Sequence, residues 1–164
     1  VNETTFNAPW GKTLRWVSAL SSLAILGVSV TVFYLDKSSQ GRAAIFLLPL
    51  ILLGAALFVI RDYTLAPGEL RIRRLLWMTR VPLTGLQSAE FVPNAMSRSL
   101  RLCGNGGLFS FTGWYRNRAL GTYRAFVTDL KPTVVLRFSG RTVVISPANP
   151  ERFVSEISQF AARV

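Results

Sequence analysis

Two stretches without a single charge, Trp16 to Leu35 and Ala43 to Ile60, stand near the start of the chain with only Asp36 to Arg42 between them. As helices at 1.5 Å per residue they reach roughly 30 and 27 Å, enough to cross a hydrocarbon core of about 30 Å. From Tyr63 onward the pattern changes to short alternating segments broken by turn residues, the mark of a small antiparallel β domain. Tyr63 to Leu65 and Leu70 to Leu76 flank a Pro67-Gly68 turn, and Val134 to Phe138 and Thr142 to Ile145 flank Ser139-Gly140. Between these hairpins, Leu100 to Val127 mixes glycine, aromatic and arginine residues in a way that suits strands with bulges. The period lengthens again at the end: Asn149 is placed as an N-cap, Pro150 as the first helical residue and Glu151 in the first turn. Phe153, Ile157, Phe160 and Val164 then share one apolar face, which predicts a helix closing the open end of the β domain.

The expectation is an α+β membrane protein with a tail over 1–15, a transmembrane hairpin over 16–60 (helices 16–35 and 43–60), and a β domain over 61–164. The first run exceeds a signal-peptide core, lacks a convincing cleavage site and is followed at once by a second span, so it reads as retained. Trp10, Trp16, Phe33, Tyr34 and Tyr63 fall where amphipathic rings favour the headgroup level and are expected as membrane-interface anchors. Ser18, Ser22, Gly27 and Thr31 offer small positions for close helix contact, and Pro49 predicts a kink in the second helix.

Charge gives this layout an orientation. Of a net charge of +11, residues 61–164 carry +9, from 15 basic against six acidic residues. Lys12, Arg15, Arg61, Arg71, Arg73, Arg74 and Arg80 flank the outer ends of the hairpin, against Lys37 and Arg42 in its connection. Both termini and the β domain are therefore expected on the cytoplasmic side of the membrane, with residues 36–42 on the opposite side. The basic excess is open to two readings: attraction to anionic lipid, at about 1 kcal/mol per cation near the surface, or a topology and solubility signal. No recognition helix, finger or RNP-like pattern is present, so nucleic acid is not an expected partner.

The chain has no histidine and one cysteine, Cys103. This removes the commonest general base and metal ligand, fits a reducing compartment and leaves no thiol pair. The six acids of the β domain are scattered, so no catalytic residue, metal or cofactor is expected. Gly104 to Gly107 lacks the following helix that a phosphate loop needs, because Leu108 to Tyr115 reads as a strand; Asn105-Gly106 is expected as a tight turn with positive φ. Arg98, Arg101, Arg116, Arg118 and Arg124, with Trp114, Tyr115 and Tyr123, form either a contact surface or a solvated face with the aromatics turned inward.

Arg98, the run Gly104-Asn105-Gly106-Gly107-Leu108-Phe109, Gly113, Leu120-Gly121, Tyr123, Thr128-Asp129, Ser146-Pro147, Pro150-Glu151 and Phe153 together resemble the bacterial PH-like domains attached to membrane hairpins, over about residues 61–163. The resemblance implies a bent or barrel-like sheet of about seven strands capped by the C-terminal helix. It supplies no ligand, since PH-like folds host lipid binding, peptide binding and scaffolding alike. The connection where phosphoinositide-binding PH domains grip their headgroup is only Ala66 to Glu69 here, so a deep pocket of that kind is not expected. Two functions follow. The chain is a non-catalytic accessory or scaffolding subunit of a multi-subunit membrane assembly, energy-transducing or transport complexes being natural hosts, with other integral membrane proteins as partners. Alternatively it binds anionic phospholipid through Arg71, Arg73, Arg74 and the arginines around the glycine turn.

Overall fold

The computed structural model describes residues 3–35 and 38–161, with backbone alone for 39–44 and 161. Lys37, Arg163 and Val164, which entered the charge and helix expectations above, lie outside the described residues. A short strand, β1 (Thr4–Asn7), precedes two long helices, α1 (Lys12–Leu35) and α2 (Ser39–Ala56). Nine strands follow: β2 (Ile60–Ala66), β3 (Glu69–Arg74), β4 (Met78–Pro82), β5 (Leu86–Phe91), β6 (Leu100–Gly106), β7 (Phe111–Asn117), β8 (Gly121–Val127), β9 (Val134–Phe138) and β10 (Thr142–Ile145). Helix α3 (Pro150–Ala161) ends the described chain.

The strands form a four-stranded sheet ordered β1-β2-β3-β4 and a six-stranded sheet ordered β5-β9-β10-β8-β7-β6. All pairings are antiparallel except β10 with β8, which run parallel. The hairpins at Pro67-Gly68 and Ser139-Gly140 stand where the alternation puts them, with Leu65 opposite Leu70 and Val135 opposite Val144. Strands β9 and β10 are almost wholly buried, which is why they read as apolar and β-branched runs.

One core lies between the sheets: Tyr63, Leu65, Leu70 and Ile72 meet Phe126, Leu136 and Ile145, closed from the end by Phe153 and Ile157 of α3. The C-terminal helix thus caps the β domain as its periodicity indicates. Its entry differs in detail, because Asn149 has a left-handed φ of 55° and its carbonyl accepts from Phe153 N. A second core on the far face of the six-stranded sheet gathers Phe111, Tyr115, Tyr123 and Val127 around Leu14 of α1, with Trp10 packed alongside.

Residues 4–15, part of the tail expected over 1–15, are built into the domain through both cores. Phe6 points into the first core, 5.0 Å from the Phe153 ring, and β1 pairs with β2 from Thr4↔Leu65 to Asn7↔Asp62. Four residues carry too little alternation to announce a strand, but Phe6 is the apolar residue that the sheet needs at its edge. Both helices also start earlier than the charge-free runs, and α2 stops earlier as well. Lys12 and Arg15 lie inside the first turns of α1, and Arg42 falls within α2. Leu57 to Val59 form a tight turn, with Phe58 N bonded to Ala55 O, before Ile60 enters β2 opposite Arg74. Burial of Ile60 in the domain overrides the helical continuation that its apolarity suggests.

Among the described residues one helix, α1, is long and apolar enough to span a membrane by length and composition; the described apolar part of α2, Ile45–Ala56, is shorter. Both present large exposed apolar side chains, among them Leu20, Leu23 and Val30 of α1 and Phe46, Leu50 and Leu53 of α2. Of the small positions expected for helix contact, two, Ser18 and Gly27, are placed otherwise. A Cβ at Gly27 would meet nothing within 4 Å, and Ser18 bonds instead to the β6–β7 loop, donating to Gly107 O (3.1 Å) and accepting from Phe109 N (2.9 Å). Pro49 does lie inside α2.

Candidate functional site

Both helices are rooted in the β domain without a flexible joint. At the start of α1, Gly11 N donates to Thr128 O (3.0 Å), Thr128 Oγ1 donates to Pro9 O (2.9 Å), and Ala8 N donates to Arg61 O (3.1 Å). Gly11 is required there, since a Cβ would stand 2.6 Å from the Asp129 carboxyl carbon. Beneath lies a buried polar network. Tyr63 Oη donates to Phe126 O (2.7 Å), and Ser146 Oγ accepts from Thr128 N (2.8 Å) and Asp129 N (3.1 Å). Complete burial pushes the Tyr63 hydroxyl up to about 12 despite these bonds. Tyr63 is therefore an interior residue, and its expected role as a membrane-interface anchor is withdrawn: its ring points into the core.

At the other root, α2 meets the tip of the β3–β4 hairpin. Trp77 stacks edge-on against Phe58 at 5.2 Å, and Trp77 O accepts from Arg74 N (2.9 Å). The Arg74 guanidinium sits 5.4 Å from the Phe58 ring centre, 5.7 Å from Trp77 and 5.6 Å from Phe126. Arg74 is 7% exposed, and its Nε has no hydrogen-bond partner among the described residues. Burial, then the charge of Arg124, lowers its pKa from the usual arginine value. Arg124 lies on β8 directly opposite Trp114 of β7, its guanidinium 4.9 Å from the Phe126 ring. The two arginines share a cavity of about 560 Å³ whose remaining wall includes Ile51 and Ala55 from α2 and Phe58 from the turn that follows it.

The other arginines expected at a site are dispersed. Arg71 is bound by Glu69 (2.5 Å) and Glu3 (2.6 Å), and the Glu69 hydrogen bond with both acidic charges raises its pKa. Arg73 faces Asp62 at 3.7 Å. Arg98 and Arg118 line a separate groove of about 650 Å³ at the opposite end of β7. Arg101 lies along β6 beside Gly106, and Arg116 lies on the same face of the six-stranded sheet as Trp114 and Arg124. Tyr115 is buried, stacked 6.1 Å from Tyr123, and its hydroxyl donates to Asn105 O (2.6 Å); it belongs to the core rather than to a contact surface, whereas Trp114 is 45% exposed. Of the remaining expected anchors, Trp16, Phe33 and Tyr34 are exposed on α1, and Trp10 packs 6.2 Å from Phe109 at the root of that helix.

The glycine run also differs from expectation. Asn105 and Gly106 end β6, and the turn is made by Gly107 (φ 116°) and Phe109 (φ 66°). Asn105 stabilises it from the side, its amide bonding to Leu108 N and Leu108 O. Gly104 and Gly113 are instead a cross-strand pair, where a Cβ on Gly113 would stand 2.1 Å from Cys103 O. Phe58 and Trp77, which wall the Arg74 cavity, were not legible as site residues. The available signal was Leu75-Leu76-Trp77, an apolar triplet at a hairpin tip where turn chemistry favours polar residues.

Among the described residues no group of three or more His, Cys, Asp or Glu side chains could hold a metal. What the junction can do is bind: it offers paired guanidiniums, exposed aromatics and an apolar wall. No curated protein and no solved structure matches the chain. The family pattern described as Bacterial PH domain does match, over residues 61–161, from the start of β2 through α3. With that match spanning more than half of its length, the chain belongs to the bacterial PH domain family.

Proposed function

We propose that the chain is a non-catalytic, membrane-anchored PH module that serves as an accessory or scaffolding subunit of a multi-subunit membrane assembly. The observation that carries this reading is the pairing of β1 with β2. These strands precede α1 and follow α2, so the hairpin leaves and re-enters one sheet. A single crossing is then topologically impossible: if α1 spans the bilayer, α2 must return. Of the 18 residues of α2 the first four, 39–42, are polar, which leaves about 21 Å of apolar helix for the return and makes local thinning of the bilayer part of this reading. Exposed leucines, valines and phenylalanines on both helices fit a hydrocarbon surround or neighbouring transmembrane helices. The flanking arginines support a cytoplasmic side for the domain and both ends of the hairpin.

A scaffold needs a fixed domain, and both helix roots hold it at one height. It also needs a partner surface. Strand β6 is an edge of the six-stranded sheet with Leu100 (68%) and Leu102 (52%) exposed, a surface suited to strand addition or side-chain docking. The test is extraction of the tagged full chain from its native membrane in mild detergent at low and at high salt, followed by identification of what comes with it. A stoichiometric set of membrane proteins at both salts is expected. Recovery of the chain alone overturns the scaffold role.

Lipid binding at the inner leaflet is the second reading, favoured by one specific observation: Arg74 beside α2, whose buried Nε has no hydrogen-bond partner among the described residues.

A further inference from the structure

We infer that the cavity between Arg74, Arg124 and the end of α2 is a binding site for the phosphate of an anionic phospholipid, with the acyl chains lying along α2. This inference rests on the membrane-anchored reading above and adds to it a ligand and a place.

An arginine that is 93% buried as a residue ordinarily has a carboxylate partner, because an isolated buried charge costs several kcal/mol. Among the described residues neither Arg74 nor Arg124 forms an ion pair, although Arg71, Arg73 and Arg152 all do. The three aromatic faces around Arg74 compensate part of its charge through cation–π contact but leave Nε without an acceptor. Two like charges sharing one cavity ask for an anion with several acceptor oxygens, and a phosphodiester meets paired guanidiniums in the geometry that arginine recognises best.

The wall opposite the arginines decides which phosphate. Ile51 and Ala55 belong to α2, so the cavity passes without a break from a cationic end to an apolar helix surface. A free phosphate has no use for that surface, whereas a phospholipid has one polar and one apolar end in the same order. The volume, about 560 Å³, suits a phosphoglycerol headgroup with the start of its chains. The neighbouring hairpin tip fits the same plane, with Leu75 (50%), Leu76 (73%) and Trp77 (39%) exposed beside the last turn of α2.

Trp77 provides the readout. The full chain, carrying Trp10→Phe, Trp16→Phe and Trp114→Phe so that Trp77 is the remaining tryptophan, is reconstituted in phosphatidylcholine vesicles. These contain a minor fraction of either brominated phosphatidylglycerol or brominated phosphatidylcholine, and quenching is compared. A preference of about tenfold for the anionic lipid is expected, the ratio that one charge-assisted contact of modest strength confers. Arg124→Gln, at an exposed position that folding does not need, should reduce it strongly, and Arg74→Gln with Arg124→Gln should abolish it. Equal quenching by the two lipids, or a preference unchanged in both variants, overturns the site. Loss of the preference on adding millimolar inorganic phosphate also overturns it, by assigning the cavity to the free anion. Washing the vesicles at alkaline pH separates the two levels: release of the chain sinks the anchored reading and the site with it, whereas a retained chain without lipid preference sinks the site alone.

Discussion

Replacing Phe6 by alanine tests whether the residues before the hairpin are structural members of the domain. Phe6 is 4% exposed, stands edge-on to Phe153 at 5.0 Å, and borders Tyr63 and Leu65 in the core between the sheets. Burial of a phenylalanine side chain is worth about 1.5–3 kcal/mol by area. The lost aromatic pair adds about 0.5–1.5 kcal/mol, and the cavity at a site held by two sheets and a helix brings the total to roughly 3–5 kcal/mol. That is a large share of the 5–15 kcal/mol that holds a typical domain. The assay is equilibrium denaturant unfolding of the full chain in mild detergent, followed by the near-ultraviolet dichroism of the buried aromatics. Asn7→Ala, on the exposed face of the same strand, is the control and should stay within about 0.5 kcal/mol of the parent. A Phe6→Ala midpoint equal to that control would refute the reasoning and reduce β1 to a passenger.

Ser146→Ala leaves the amides of Thr128 and Asp129 without their acceptor at a fully buried position, and should cost about 2–4 kcal/mol in the same assay while speeding amide exchange at Gly11. The tyrosines give a pH dependence with a definite sign. Because the Tyr63 pKa rises from 10.0 to about 12 in the folded chain, its contribution is whole below pH 10 and is lost as pH climbs through 12. The loss should reach roughly 3 kcal/mol, and Tyr63→Phe should flatten the profile. A residual slope should persist from Tyr115, which burial likewise pushes up to about 12. Tyrosinate absorbance against pH checks the assignment.

What could be seen in the sequence was whatever repeats with a period. Phe153 and Ile157 announced the face of α3, and the β9–β10 hairpin announced itself by valines around Ser139-Gly140. Features set by contact across long separations were hidden. Phe6 and Phe153 meet over almost the whole chain, and Ile60 looks helical until Arg74 is placed opposite it. The arginines show the same limit. As a list they form one basic cluster, but strand direction sends Arg98 and Arg118 to one end and Arg124 to the other, while Glu3 and Glu69 neutralise Arg71. Only burial distinguishes Arg74 from its neighbours, and burial of one arginine in a run of three follows from pleat and register rather than from composition.

The strand before α1 also orders events in time. During synthesis Phe6 emerges first, and its partner Tyr63 follows 57 residues later, an interval of roughly 3–11 s at ordinary elongation rates. In that interval the whole hairpin is made, and with the helices in a bilayer as proposed, insertion is settled before the first sheet can close. A hairpin inserted the wrong way round would put β1 and β2 on the wrong side with the rest of the domain, and one inserted by a single helix would part them permanently. The completed sheet is therefore a record that the two helices inserted as a pair.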